Sequence, residues 1–196
     1  VLIYMIRHGQ TDWNVEGRMQ GQKDIDLNAT GRGQAMRNGE TLAHVLGDTA
    51  GAFDYVASPL RRTRETMERI RAEMHLDPLA YRIDERLKEV SFGDWEGFTL
   101  PEIARVVPER VEERARHKWD FIPPGPDAES YEILSWRIGA WLASVERPTV
   151  CVSHGGVIRT CFRLVGDMGK EEACDINIPQ DRILKMDTAT GAIGWL

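Results

Sequence analysis

Two short apolar runs in this chain each stop at a His-Gly pair: VLIYMIRHG, from Val1 to Gly9, and RPTVCVSHGG, from Arg147 to Gly156. An apolar run of strand length halted by glycine predicts a strand buried on both faces, the kind that builds parallel sheets. Ligands of open α/β sheets bind beyond the carboxyl ends of such strands. His8 and His154 are therefore both expected at the mouth of a site, on two different strands.

The first histidine has polar company. RHGQTDWN, Arg7 to Asn14, puts a fixed cation, an imidazole and several hydrogen-bonding side chains on one loop, a combination suited to an anion with a nucleophile beside it. A neutral imidazole is a competent nucleophile, and a neighbouring arginine helps to keep it neutral. His154 is followed by Gly155 and Gly156, which leave the first backbone N–H groups of a following helix open to an anion. His154 lacks an adjacent arginine, so His8 is the preferred nucleophile and His154 the preferred hydrogen-bond donor to developing charge.

Periodicity organises the rest. Asn28 or Thr30 can cap a helix over about 31–46, with Ala35, Gly39, Leu42, Ala43 and Leu46 on one face. Phe53 to Ser58 reads as a strand, and a helix over about 61–74 turns Thr66, Met67, Ile70 and Met74 inward. Tyr131, Leu134, Ile138, Trp141, Leu142 and Val145 form another helical stripe. Strand Thr149 to Ser153 precedes a helix near 157–165, and 183–187 with 192–196 resembles a closing hairpin. Strand and helix in alternation predict an α/β fold: a mostly parallel central sheet with helices on both faces. One domain is expected over residues 1–196. The glycine- and proline-broken stretch from about 90 to 130 forms a small cap within it.

Charged residues make up 29% of the chain, too polar a composition for a membrane span. A net charge of -6 argues against a nucleic-acid surface, which needs a basic stripe. The first strand starts at Val1 with no leader ahead of it, so a cytoplasmic location is expected. Cys151, Cys161 and Cys174 are odd in number and contain no Cys-x-x-Cys pair; they read as buried apolar residues. His44, His75 and His117 fall near helix ends or in the cap. Arg114, Arg116 and Lys118 around His117 read as a solvated charge run, with the grip of an acidic substrate group as the alternative.

Five blocks now stand in order: RHGQTDWN, GRMQG at Gly17 to Gly21, SPLRRTRET at Ser58 to Thr66, LKEVSFGDWEG at Leu87 to Gly97 and VSHGGVIR at Val152 to Arg159. Together they resemble the histidine phosphatase superfamily, which includes the phosphoglycerate mutases. The resemblance implies a phosphoglycerate mutase-like three-layer sandwich and a catalytic set of Arg7, His8, Arg62, Glu89 and His154. Arg61 is the alternative to Arg62. Asn14, Gln20, Gly21 and Gly155 are implied as further phosphate contacts, with Glu89 as general acid and Glu85 and Glu96 as surface carboxylates. No metal or cofactor is implied. A phosphate monoester carries about -1.5 to -2 charges, and arginine forks match its oxygens two at a time.

The reading that follows is a metal-independent phosphomonoesterase acting on a small phosphorylated metabolite through a phosphohistidine. A phosphoglycerate mutase, using the same intermediate, is the alternative. A non-catalytic phospho-ligand module is the third reading, and it is disfavoured because all five central groups are present. Three features favour the phosphatase: the interval from Glu89 to His154 is shorter than in the cofactor-dependent mutases, the chain ends at Leu196 without their long tail, and PPGPDAESY (Pro123 to Tyr131) resembles the phosphatase branch. Ala128 stands where that branch usually has glycine before Glu129, which leaves the subfamily open. A homodimer is the expected macromolecular partner, if any.

Overall fold

The opening run becomes strand β1 (Leu2–Arg7), near the middle of a six-stranded sheet in the computed structural model, which describes all 196 residues. The other strands are β2 (Asp54–Ala57), β3 (Arg82–Ile83), β4 (Thr149–Ser153), β5 (Ile183–Asp187) and β6 (Ala192–Trp195), in the spatial order β3-β2-β4-β1-β5-β6. The first four in that order run parallel, and β5 and β6 close the other edge antiparallel, as the hairpin pattern predicts. Strand β3 escaped the sequence reading. It has only two residues, both exposed at the sheet edge, so no apolar run marks it.

Successive side chains of a strand point to opposite faces, and the buried strands divide their residues accordingly. Tyr4, Ile6, Tyr55, Ala57, Val150 and Val152 face the layer of helices α2 (Ala29–Leu46) and α3 (Arg61–Glu73). Ile3, Met5, Val56 and Cys151 face α6 (Tyr131–Ala143), α7 (Gly155–Leu164) and α8 (Lys170–Asp175). The result is the expected three-layer α/β sandwich. Of these helices only α8 has no counterpart in the sequence reading, since one and a half turns are too short to show a period. All three cysteines are buried and free, and no helix is long and apolar enough to cross a membrane.

Capping fixes where helices begin near the site. A five-residue helix, α1 (Asp12–Glu16), follows β1 and opens with a capping box between Thr11 and Asn14. Of the two candidate caps for α2, Asn28 is used: its side chain accepts the Gly31 N–H at 2.9 Å. The first N–H of α3 donates to the Asp24 carboxylate at 2.7 Å, which fastens the helix to the loop before α2. Helix α7 starts two residues earlier than its apolar pattern suggests, because the glycine pair lies inside its first turn.

Residues 90–130 hold α4 (Leu100–Ala104) and α5 (Pro108–Arg116). These pack on a small apolar cluster of Met19, Trp95, Ile103 and Phe121, separate from the two main cores.

Candidate active site

Parallel pairing sets Arg7 opposite Ser153, the last residues of β1 and β4. The next residue on each strand is a histidine. The His8 N–H donates to Ser153 O at 2.9 Å, and the two imidazoles stand edge to face with centroids 5.3 Å apart. Both are buried. Burial, reinforced by Arg62 and Arg7, holds His8 well below the usual histidine range, and burial with Arg62 and His8 does the same to His154. His8 Nδ1 lies 2.7 Å from Gly9 O. A carbonyl only accepts, so the proton of the neutral ring sits on Nδ1 and the lone pair is on Nε2.

Arg7 and Arg62 flank this pair. Arg7 Nη1 donates to Ile178 O at 2.8 Å. Arg62 is fully buried and donates from Nη1 to Lys23 O at 2.7 Å and from Nη2 to Gly21 O at 2.8 Å. Burial lowers both guanidinium pKa values, that of Arg62 to about 10, a value at which Arg62 is cationic at neutral pH. Arg61 points the other way: its guanidinium is exposed and pairs with Asp26. The sequence left these neighbours as alternatives, and only Arg62 joins the histidines.

Three buried polar atoms have no partner in the chain: Arg7 Nε, Arg62 Nε and His154 Nδ1. An unsatisfied buried donor costs about 1–3 kcal/mol. All three belong to side chains grouped around the His8 ring, and each is free to meet an acceptor oxygen. His154 Nε2 lies 2.8 Å from Ser58 Oγ. Since Ser58 Oγ already takes the Leu60 N–H, at a long 3.5 Å, its own hydrogen is free for His154 Nε2. That tautomer leaves an N–H on Nδ1 as a donor.

Glu89 lies against the start of α7. Its Oε1 accepts the Val90 N–H at 2.9 Å and its Oε2 accepts the Gly156 N–H at 3.1 Å, in the first turn of α7. A Cβ at position 156 would overlap Glu89 Oε1, which is why the second glycine of the pair is needed. The carboxylate acts electrostatically on both Arg7 and Arg62.

The other expected contacts fall into two groups. Asn14 Oδ1 is taken by the Thr11 N–H at 3.1 Å and by Gln180 Nε2 at 3.0 Å, and Gln20 Oε1 accepts from Thr11 Oγ1 at 2.9 Å. Both amide oxygens are thus engaged within the chain, and Gly155 opens α7 beside Arg7 Nε. Gly21 supports Arg62 through its carbonyl. Glu96, expected as a surface carboxylate, instead accepts the N–H groups of Gln22 and Phe92 at 2.9 and 3.1 Å and staples the cap to the 20–23 loop.

Sequence reading also gave no role to Ser58, although it lies in a quoted block, or to Gln180, whose Nε2 also donates to His8 O at 3.1 Å. The cap cations separate as well. Arg116 and His117 are exposed, Lys118 binds Cys174 O and Asp175, and Arg114 turns inward toward Tyr131 and Arg159 without an ion-pair partner.

The profile of the histidine phosphatase superfamily (branch 1) matches residues 3–193. The chain belongs to the histidine phosphatase superfamily. A glucosyl-3-phosphoglycerate phosphatase of Mycobacterium tuberculosis is 36% identical over 168 residues, 80% of this chain and 71% of the relative. A probable phosphoglycerate mutase, GpmB of Citrobacter koseri, is 39% identical over 160 residues, covering 78% and 69%. Among solved structures, Bacillus stearothermophilus YhfR superposes with a TM-score of 0.78 at 28% identity, covering 98% of this chain and 94% of its own. This histidine phosphatase is thus a hydrolase of the phosphatase branch, with mutase-named kin.

Proposed function

We propose that this histidine phosphatase hydrolyses a small phosphate monoester in two displacements at His8. The observation that carries the reading is the set of unpartnered atoms Arg7 Nε, Arg62 Nε and His154 Nδ1 around the His8 ring. In the first step His8 Nε2 attacks phosphorus, the N–P bond forms as the ester P–O bond breaks, and Glu89 delivers a proton to the departing oxygen. In the second, water attacks phosphorus, Glu89 takes its proton, the N–P bond breaks and phosphate leaves. Arg7, Arg62 and His154 meet the phosphoryl oxygens and follow the charge as it builds. Arginines supply here the neutralisation that a metal clamp supplies elsewhere, so turnover should survive EDTA.

Arg114 and Arg159, on the Tyr131 side of Arg7, offer a place for a second anionic group on the substrate. The Mycobacterium tuberculosis relative is named a glucosyl-3-phosphoglycerate phosphatase, and a phosphoglycerate carries a carboxyl group besides its phosphate ester. A cytoplasmic setting belongs to the same reading, supported by three free thiols.

A panel of phosphate esters, with and without a carboxylate or second phosphate, followed by ³¹P NMR in EDTA tests the proposal. Free phosphate should appear, fastest from the doubly anionic esters. Rapid interconversion of 2- and 3-phosphoglycerate with little free phosphate would favour the mutase reading, which rests on the relatives named as phosphoglycerate mutases.

A further inference from the structure

Residues 88–92, which carry Glu89, belong to no helix or strand; they link the short turns Glu85–Leu87 and Gly93–Trp95. Something else must hold them, because a general acid misplaced by about 1 Å loses much of its effect. Arg137, on α6, spends all its donors on this task. Its Nη1 donates to Arg86 O and Lys88 O, both at 2.6 Å, and its Nη2 donates to Glu89 O at 2.9 Å. The remaining donors close a bidentate pair with Glu129, Nε to Oε1 at 2.9 Å and Nη2 to Oε2 at 2.8 Å. Glu129 completes the frame: its Oε2 accepts the Ser91 N–H at 3.0 Å and its own N–H donates to Ser91 O at 2.9 Å.

We propose that Arg137 and Glu129 are the positioning residues for Glu89, their ion pair fixing the backbone on both sides of it so that its carboxyl meets the first turn of α7. Neither touches the Glu89 carboxyl, which is held by backbone N–H groups alone. Five donors in a planar fork are needed to reach three carbonyls and a carboxylate together, and lysine cannot provide them. The pair lies mostly out of solvent, with side-chain exposures of 20% and 15%. A merely stabilising pair at that depth is easily replaced, but one whose every donor is committed to the acid's own segment is not. Glu129 is also the glutamate preceded by Ala128, so this frame tolerates that departure from the usual pattern.

The inference rests on Glu89 acting as the acid, and the test separates the two. Turnover of ethyl phosphate, which needs a proton for its leaving oxygen, is compared with that of p-nitrophenyl phosphate, which needs little help, in the wild type, Arg137→Lys, Glu129→Gln, Glu89→Gln and the double variant Glu89→Gln/Arg137→Lys. Arg137→Lys should lose about tenfold or more of kcat on ethyl phosphate and about threefold or less on the aryl ester, and Glu129→Gln should show the same split more weakly. In the Glu89→Gln background, Arg137→Lys should add almost nothing, because the group it positions is already disabled. Equal losses on both esters from both positioning variants, or an undiminished effect in the double variant, would overturn the proposal while leaving Glu89 as the acid. Equal losses on both esters in Glu89→Gln itself would remove the acid, and this inference with it.

Discussion

The His8 and His154 rings meet edge to face at 5.3 Å because the residues before them, Arg7 and Ser153, are register partners on adjacent parallel strands. Backbone pairing alone thus delivers two imidazoles to one spot from opposite ends of the chain. Their inequivalence comes from what each ring nitrogen touches: Gly9 O fixes the His8 proton on Nδ1, whereas Ser58 Oγ engages His154 through Nε2.

That inequivalence predicts which histidine becomes phosphorylated. Acid-labile, base-stable radioactivity from a ³²P-labelled substrate should be trapped on the wild type and be absent from His8→Asn, with kcat down by about 10³ or more. Mapping the label by mass spectrometry checks the site, and label on His154 would reverse the two roles.

Ser58→Ala should weaken His154 as a donor without touching the nucleophile. The loss expected is about 10- to 100-fold in kcat, the scale of removing a group that orients a catalytic side chain. The trapped phosphoenzyme should still form. Rapid-quench kinetics would show its formation and decay both slowed, and an unchanged kcat would disconnect Ser58 from the chemistry.

Adjacent arginines should respond differently. Arg62→Lys replaces a buried fork that is held by Lys23 O and Gly21 O, and kcat/KM should fall by about 10² or more. Arg61→Ala removes an exposed partner of Asp26 and should change kcat/KM and stability little, since surface pairs contribute about 0–1 kcal/mol. Comparable losses for both would mean that the buried position does not set the role.

Acid should destabilise the fold through these histidines. Both are held well below their ordinary pKa by burial and the arginines, so between the unfolded value near 6.5 and the lower folded value the unfolded chain binds protons that the native state refuses. Stability is therefore unaffected by them above about pH 6.5 and falls as pH drops below it, by about 1.4 kcal/mol per pH unit for each histidine. Urea unfolding between pH 7.5 and 5.5 should show this slope, and His8→Asn should reduce it by one histidine's share; an unchanged slope would mean that His8 does not titrate this way.

The sequence determined the features that follow from side-chain period and local chemistry. Two apolar runs capped by His-Gly specify parallel strands and put His8 and His154 at their carboxyl ends, and the 3.6-residue stripes specify which faces of α2, α3 and α6 are buried. Period reports burial along one element and says nothing of partners on another. Only the tertiary structure could choose Arg62 over Arg61, since both suit the first turn of α3 and the choice depends on the carbonyls of Gly21 and Lys23. It alone pairs His154 with Ser58, 96 positions away in the chain. It also draws Glu96 in from an apparent solvent face and closes the Arg137–Glu129 frame around Glu89. These are buried or half-buried polar groups whose partners lie far along the chain, and each is placed by the need to satisfy its hydrogen-bonding capacity once water is gone, a need that arises only when the layers have packed.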